Sequence, residues 1–340
     1  MSVIPHIDDV ITSDEVHASA VAIAALQLDS GMIPWFLDGH CDPWNHVETA
    51  MALDVAGMHT EAERAYEWLV DMQRPDGSWW NYYLPDGSVE EAKLDTNVCA
   101  YIATGAWHHW LCTWDRAFVD HLWPTVDRAM AWVLGMRKPD GTVLWARTDD
   151  AIPWDYALLT GSSSISHALR CAANLAELIN EPRPEWRAAA DALTDQIATA
   201  PDAFEPKHRW AMDWYYPVLS GAVTGEAAKV HLADKWDVFA MEGKGIRCVS
   251  DEPWITASET AEAAIAYAAI GDLATAVDLL RWTRSHRLDD GSYWTGIVYP
   301  SLERFPFGET SAYTAAAVIL AADAITGASP ASAVFAPRVQ

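Results

Sequence analysis

Residues 39–48 read Gly39-His40-Cys41-Asp42-Pro43-Trp44-Asn45-His46-Val47-Glu48, a loop that turns into a helix. Asp42 stands at an N-cap and Pro43 at the first helical position, and Val47, Met51, Leu53, Val55 and Ala56 then run at helical spacing to Gly57. A carboxylate is thereby held at a helix start. His40, Trp44, His46 and Glu48 crowd beside it, more chemistry than a cap requires. The pattern recurs: Asp95 with Asn97, Ser162 to Ser164, Asp213, Glu259 and Glu309 each stand where a long loop enters an apolar helix.

Working outward, the periodicity predicts twelve helices over about 13–28, 43–56, 60–73, 94–112, 115–136, 167–179, 184–198, 213–224, 226–239, 261–270, 272–285 and 312–325. Their connections alternate. Turns at Gly57, Thr113-Trp114, Glu181 to Arg183 and Gly271 are followed by loops far longer than the usual 4–6 or so residues. A short signature repeats after helices: Leu28-Asp29-Ser30-Gly31 with Trp35, Pro75-Asp76-Gly77-Ser78-Trp79, Pro139-Asp140-Gly141 with Trp145, and Asp289-Asp290-Gly291-Ser292-Tyr293-Trp294. Six helical hairpins, one member of each Ala-rich like Ala261 to Ala269, describe an all-α (α/α)6 toroid with an inner ring of six helices wrapped by an outer ring. One domain is expected over 1–326, followed by a flexible Ala/Pro/Ser tail over 327–340. Every inner helix then starts on one face, and the acids at those starts converge around one mouth.

With 51% hydrophobic and 21% charged residues, the chain of 340 residues has the material for a large core. Its net charge of −26 repels nucleic acid and anionic membranes, and neither partner is expected. Five scattered cysteines without CxxC spacing signal neither a disulfide framework nor a zinc site. No apolar stretch reaches a membrane span and the first residues carry no basic export signal, so the expected compartment is the cytoplasm. No metal or cofactor is expected either: His108 and His109 are adjacent on a helix, no HxxxH occurs, and GxGxxG, P-loop and GxSxG motifs are missing.

The nineteen tryptophans often fall in the long loops, beside acids. Flat rings stack on the C–H faces of sugars while acids, amides and histidines take the hydroxyls, so a carbohydrate cleft is implied. Glycoside hydrolysis needs two carboxyls, one to protonate the leaving oxygen and one to activate water or attack. Asp42 and Glu259 are the candidate pair, the second because Ser258 can take its helix cap and leave the carboxylate free. Glu262 lies one turn deeper as the reserve. His40, Trp44, His46, Asp95, Asn97, Asp213, Trp214, Tyr215, Trp294 and Glu309 complete the candidate substrate site.

The order of Cys41-Asp42-Pro43-Trp44-Asn45-His46-Val47-Glu48, Gln73-Arg74-Pro75-Asp76-Gly77-Ser78-Trp79, Asp95-Thr96-Asn97 and Trp123-Pro124-Thr125-Val126-Asp127 resembles the six-hairpin glycosidases of the glucoamylase type over nearly the whole chain. That resemblance implies a sugar-holding aspartate at Asp42 and leans towards inversion. It departs at Leu159-Thr160-Gly161-Ser162, where the family's general acid glutamate would lie. A narrower likeness, to actinobacterial hydrolases of methylmannose polysaccharide, implies endo cleavage of an α-(1→4)-mannan. Trp68 to Trp79 also resembles the QW repeat of prenyltransferases and terpene cyclases, whose DxDD motif is missing here. A non-catalytic sugar-binding protein is the other alternative.

Overall fold

The computed structural model describes residues 3–149 and 152–335. The inner helices are α2 (Pro43–Val55), α4 (Thr96–Ala100) continued by α5 (Ile102–Thr113), α7 (Leu159–Leu178), α9 (Met212–Leu219), α11 (Ala257–Ala269) and α13 (Ala312–Thr326). The outer helices are α1 (Ser13–Ala24), α3 (His59–Met72), α6 (Arg116–Gly135), α8 (Pro184–Thr199), α10 (Gly225–Phe239) and α12 (Leu273–Trp282). The inner ring closes in the order α2, α5, α7, α9, α11, α13 and back to α2, and each inner helix packs on one outer partner, α13 on α1. This is an (α/α)6 toroid. Burial explains the composition: α13 buries eleven of its fifteen residues and α11 ten of thirteen, so small side chains are needed where helices crowd on all sides.

The repeated signature joins neighbouring outer helices. Gln73 Nε2 donates to Gly77 O in its own loop and to Thr125 O in α6, at 3.0 and 2.9 Å, and Gln27 does the same with Gly31 O and Glu61 O in α3. The glycines meet the neighbour's backbone, Gly77 against Arg128 and Gly291 against Ala18 of α1, which closes the outer ring. Asp76, Asp140 and Asp290 each hold the loop by accepting from the residue two positions on. The likeness to the QW repeat is therefore a likeness of loop staples.

Several elements differ from expectation. The serines expected to precede the third inner helix lie inside α7, which starts at Leu159, and their small buried side chains let it pack closely. The long loops carry short strands: Glu303–Arg304, Gly296–Val298, Trp254–Thr256, Gly245–Arg247 and Ala240–Met241 form one antiparallel sheet in that order. Lys93–Asp95 pairs with Ala146–Thr148. Of the tail, residues 336–340 lie outside the described ones, but the preceding turn is packed: Ser329 is anchored to Asp323, and Phe335 stacks on His167 at 5.0 Å. Phe335 thereby closes the floor of the ring beneath Glu48 and Glu262. Among the described residues, no helix is long and apolar enough to cross a membrane.

Candidate active site

At the end where the inner helices begin, a cavity of about 180 Å³ is lined by Glu48, Glu259 and Glu262 together with Trp35, Trp44, Asn45, Met212, Ser258 and Tyr313. Two helices supply the acids, α2 and α11, and both flank α13. Asp42 caps α2 next to this lining, hydrogen-bonded to two of its residues, Trp35 and Asn45. Its Oδ1 accepts Asn45 N at 3.0 Å, and its Oδ2 accepts Trp35 Nε1 at 2.6 Å and Asn45 Nδ2 at 2.7 Å. Burial raises its carboxyl above the usual aspartate value, although those donors pull the other way. The loop repeat thus supplies the indole that positions the acid, and Trp145 does likewise for Asp95.

Glu259 lies in the first turn of α11. Ser258 does not cap this helix, whose N-cap is Thr256. The hydroxyls of Thr256 and Ser258 instead both donate to Glu259, and Cys248 Sγ donates from 3.2 Å. Deeper in, Glu262 accepts from Tyr215 Oη, and Glu48 accepts Trp44 Nε1 at 2.9 Å and Tyr101 Oη at 3.0 Å. Burial, then the charge of Glu48, raises Glu262 well above the usual carboxylate range. Burial, with Asp42 and Glu259 nearby, pushes Glu48 up to about 7. Two buried acids beneath an acidic mouth therefore resist ionisation.

The other expected residues divide. His40 takes Glu90 at 2.8 Å and packs edge-on against Trp35, with its Nε2 buried and without a protein partner among the described residues. The Oδ1 of Asn97 is in the same condition. Asp95 caps α4 and burial pushes it up to about 6. Glu309 accepts Thr295 Oγ1 at 2.9 Å and is raised by burial. Asp213 accepts Thr160 Oγ1 at 2.7 Å and lines a separate cavity with His208 and His231. Five acids do not share one cavity; of the five at helix starts, Glu259 lines it. Trp294 is bridged to Thr310 outside the loop sheet, and its ring lies beneath the guanidinium of Arg304.

Two residues expected at the sugar are packing groups. Trp214 is buried flat against Phe239, its Nε1 donating to Leu232 O, because that side of α9 faces α10. His46 accepts Ile33 N at Nδ1 and donates from Nε2 to Ala65 O at 2.8 Å, while burial lowers it to about 4. Sequence reasoning gave no site role to Asn45, Met212 or Tyr313. Their shared signal is position: each sits in the first turn of an inner helix, as Glu259 does.

The chain is 47% identical over 335 residues to the MMP endo-(1,4)-3-O-methyl-alpha-D-mannosidase of Mycolicibacterium hassiacum, covering 98% of this chain and 92% of that one. It belongs to that mannosidase's family. No family model matches the chain. An 80-residue stretch, 24% of this chain and 13% of the other, is 30% identical to an uncharacterized glycosyl hydrolase of Methanocaldococcus jannaschii. Solved structures share the fold at low identity: a wild-type glycosidase superposes with TM-score 0.74 at 14% identity, over 93% of this chain and 96% of that one. A D-mannose isomerase superposes at 0.69 with 12% identity, over 95% and 99%. Glycosidase and isomerase on one toroid mean that the reaction must be read from the site.

Proposed function

We propose that this protein hydrolyses internal α-(1→4) bonds of a 3-O-methylated mannan. The observation that carries the reading is the near full-length identity with the Mycolicibacterium mannosidase. The cavity suits that substrate: Trp35, Trp44 and Tyr313 offer faces for sugar rings, and carboxyls stand on two separate helices. Asp42 and Glu259 are the proposed pair, one protonating the leaving oxygen while the other directs water at the anomeric carbon, with inversion. His40, Asn97, Asp95 and Glu309 are proposed to hold hydroxyls. The five free thiols suit a reducing cytoplasm.

A specific observation favours a second assignment of the acid. Glu262 lines the same cavity, and burial with the charge of Glu48 raises it well above the usual carboxylate range. The test is digestion of α-(1→4)-linked 3-O-methylmannose oligomers beside malto-oligosaccharides, with products followed by chromatography and the newly formed anomer by NMR. Internal fragments from the methylated mannan alone are expected, with the inverted anomer first. Asp42→Asn and Glu259→Gln should each lose on the order of 10² or more in kcat with binding retained. Near-normal turnover in Glu259→Gln together with that loss in Glu262→Gln would move the acid role to Glu262. No cleavage of the methylated mannan by the wild type would reject the reading.

A further inference from the structure

A second concavity, of about 400 Å³, opens on the loop face, walled by Trp210, Val249, Trp254, Val298 and Phe305. These residues come from the loops that enter α9, α11 and α13, so the groove lies on the face where the cavity opens. The two are linked through neighbouring residues of the chain. Trp210 is two residues from Met212, which lines the cavity, and Val249 follows Cys248, whose thiol reaches Glu259. Residues 210 and 249 are bridged backbone to backbone, and Ala211 N donates to Cys248 O at 3.0 Å. The rings are presented outward: Trp210 is 43% exposed, Phe305 41%, and Phe307 beside it fully exposed. Aromatic rings left open to water along one groove mark a surface that binds.

We infer that this groove is an outer subsite holding the stretch of polysaccharide that runs beyond the cleaved unit, its 3-O-methylated rings stacked on Trp210 and Phe305. The inference rests on the methylmannan reading and adds a second place of contact to it. Endo cleavage leaves sugar on both sides of the scissile bond, so the chain must leave the cavity along the face. Charge selects the occupant. A molecule of net charge −26 repels a second copy or an anionic partner, whereas a neutral methylated sugar meets no such barrier. Within the groove Arg209 is already paired with Asp251 at 2.9 Å and packed over the Trp210 ring, leaving a surface of apolar faces edged by Glu252. Methyl groups and C–H faces match that surface.

The test compares Trp210→Ala, Phe305→Ala and the ring-keeping Trp210→Phe on a long methylated polysaccharide and on a short oligosaccharide that fills only the cavity. For each Ala variant KM on the polymer is expected to rise about tenfold, with kcat and the short-substrate constants unchanged and with Trp210→Phe near wild type. Both rings are exposed, so unchanged melting curves are expected to accompany this result. Equal loss on both substrates, or no loss on either, would overturn the inference. If the wild type cleaves neither substrate the functional reading fails by itself. Affinity electrophoresis through gels containing the polymer then decides: Trp210→Ala must be retarded less than wild type, and equal retardation overturns the subsite.

Discussion

Burial holds a proton on Glu48 that water would remove. Its folded value of about 7 lies above the ordinary 4.5, so its contribution to stability is full below pH 4.5 and is lost as pH rises through 7. Glu48→Gln carries no such charge. Its stability relative to wild type is therefore expected to rise between pH 4.5 and 8, by about 1.4 kcal/mol per unit of difference in pKa, in urea unfolding at the two pH values. A constant difference would show that Glu48 titrates as it does in water. The residue scale also explains what the sequence made readable. Asp42 and Asp95 stand out because capping is local chemistry, and both do cap their helices. Trp214 and His46 looked equally chemical, yet which side of a helix start faces the cavity depends on neighbours distant in the chain. Tyr313 is the converse, an unremarked ring that meets Trp35 at 4.8 Å only when the last inner helix closes against the first loop.

Among the elements, the staple after α3 shows how one short loop fastens two hairpins. Gly77 has φ +94°, and a Cβ there would stand 2.4 Å from Arg128 O in α6. Gly57 has φ +78° in the turn after α2, with open space around the same position. Gly57→Ala is expected to cost only the left-handed backbone, about 1–2 kcal/mol. Gly77→Ala adds a clash with immovable backbone and should cost clearly more, as measured by chemical denaturation of both variants; equal losses would mean that the staple yields freely. Helices and staples were readable because their signals are local: periodicity, Pro at a helix start, Asp two residues before a loop hydroxyl. The strands were not, since Lys93–Asp95 finds Ala146–Thr148 some fifty residues away and both are too short to alternate. The serine run of α7 misled because serine is also a good cap.

The whole ring follows from counting hairpins, and its closure by Gly291 on α1 needs only the repeat seen at both ends of the chain. The plug of Phe335 was hidden, because Ala/Pro/Ser composition describes a segment's local preference and not a binding partner such as His167. Charge acts at this scale as well. With 48 acidic against 22 basic side chains, the folded molecule concentrates like charges that the unfolded chain disperses. Screening shortens that repulsion to about 8–10 Å at 0.10–0.15 M salt. The melting temperature is therefore expected to rise as sodium chloride goes from about 10 mM to 150 mM. Cleavage of the neutral methylated mannan should keep its kcat/KM over the same range, because no long-range attraction steers an uncharged chain into the cavity. A sulfated derivative of the same mannan is the contrast: its kcat/KM should be low in dilute salt and recover on addition of salt. Indifference to salt by both substrates, beside a rising melting temperature, would place the repulsive field away from the mouth and so remove charge as a selector of what enters it.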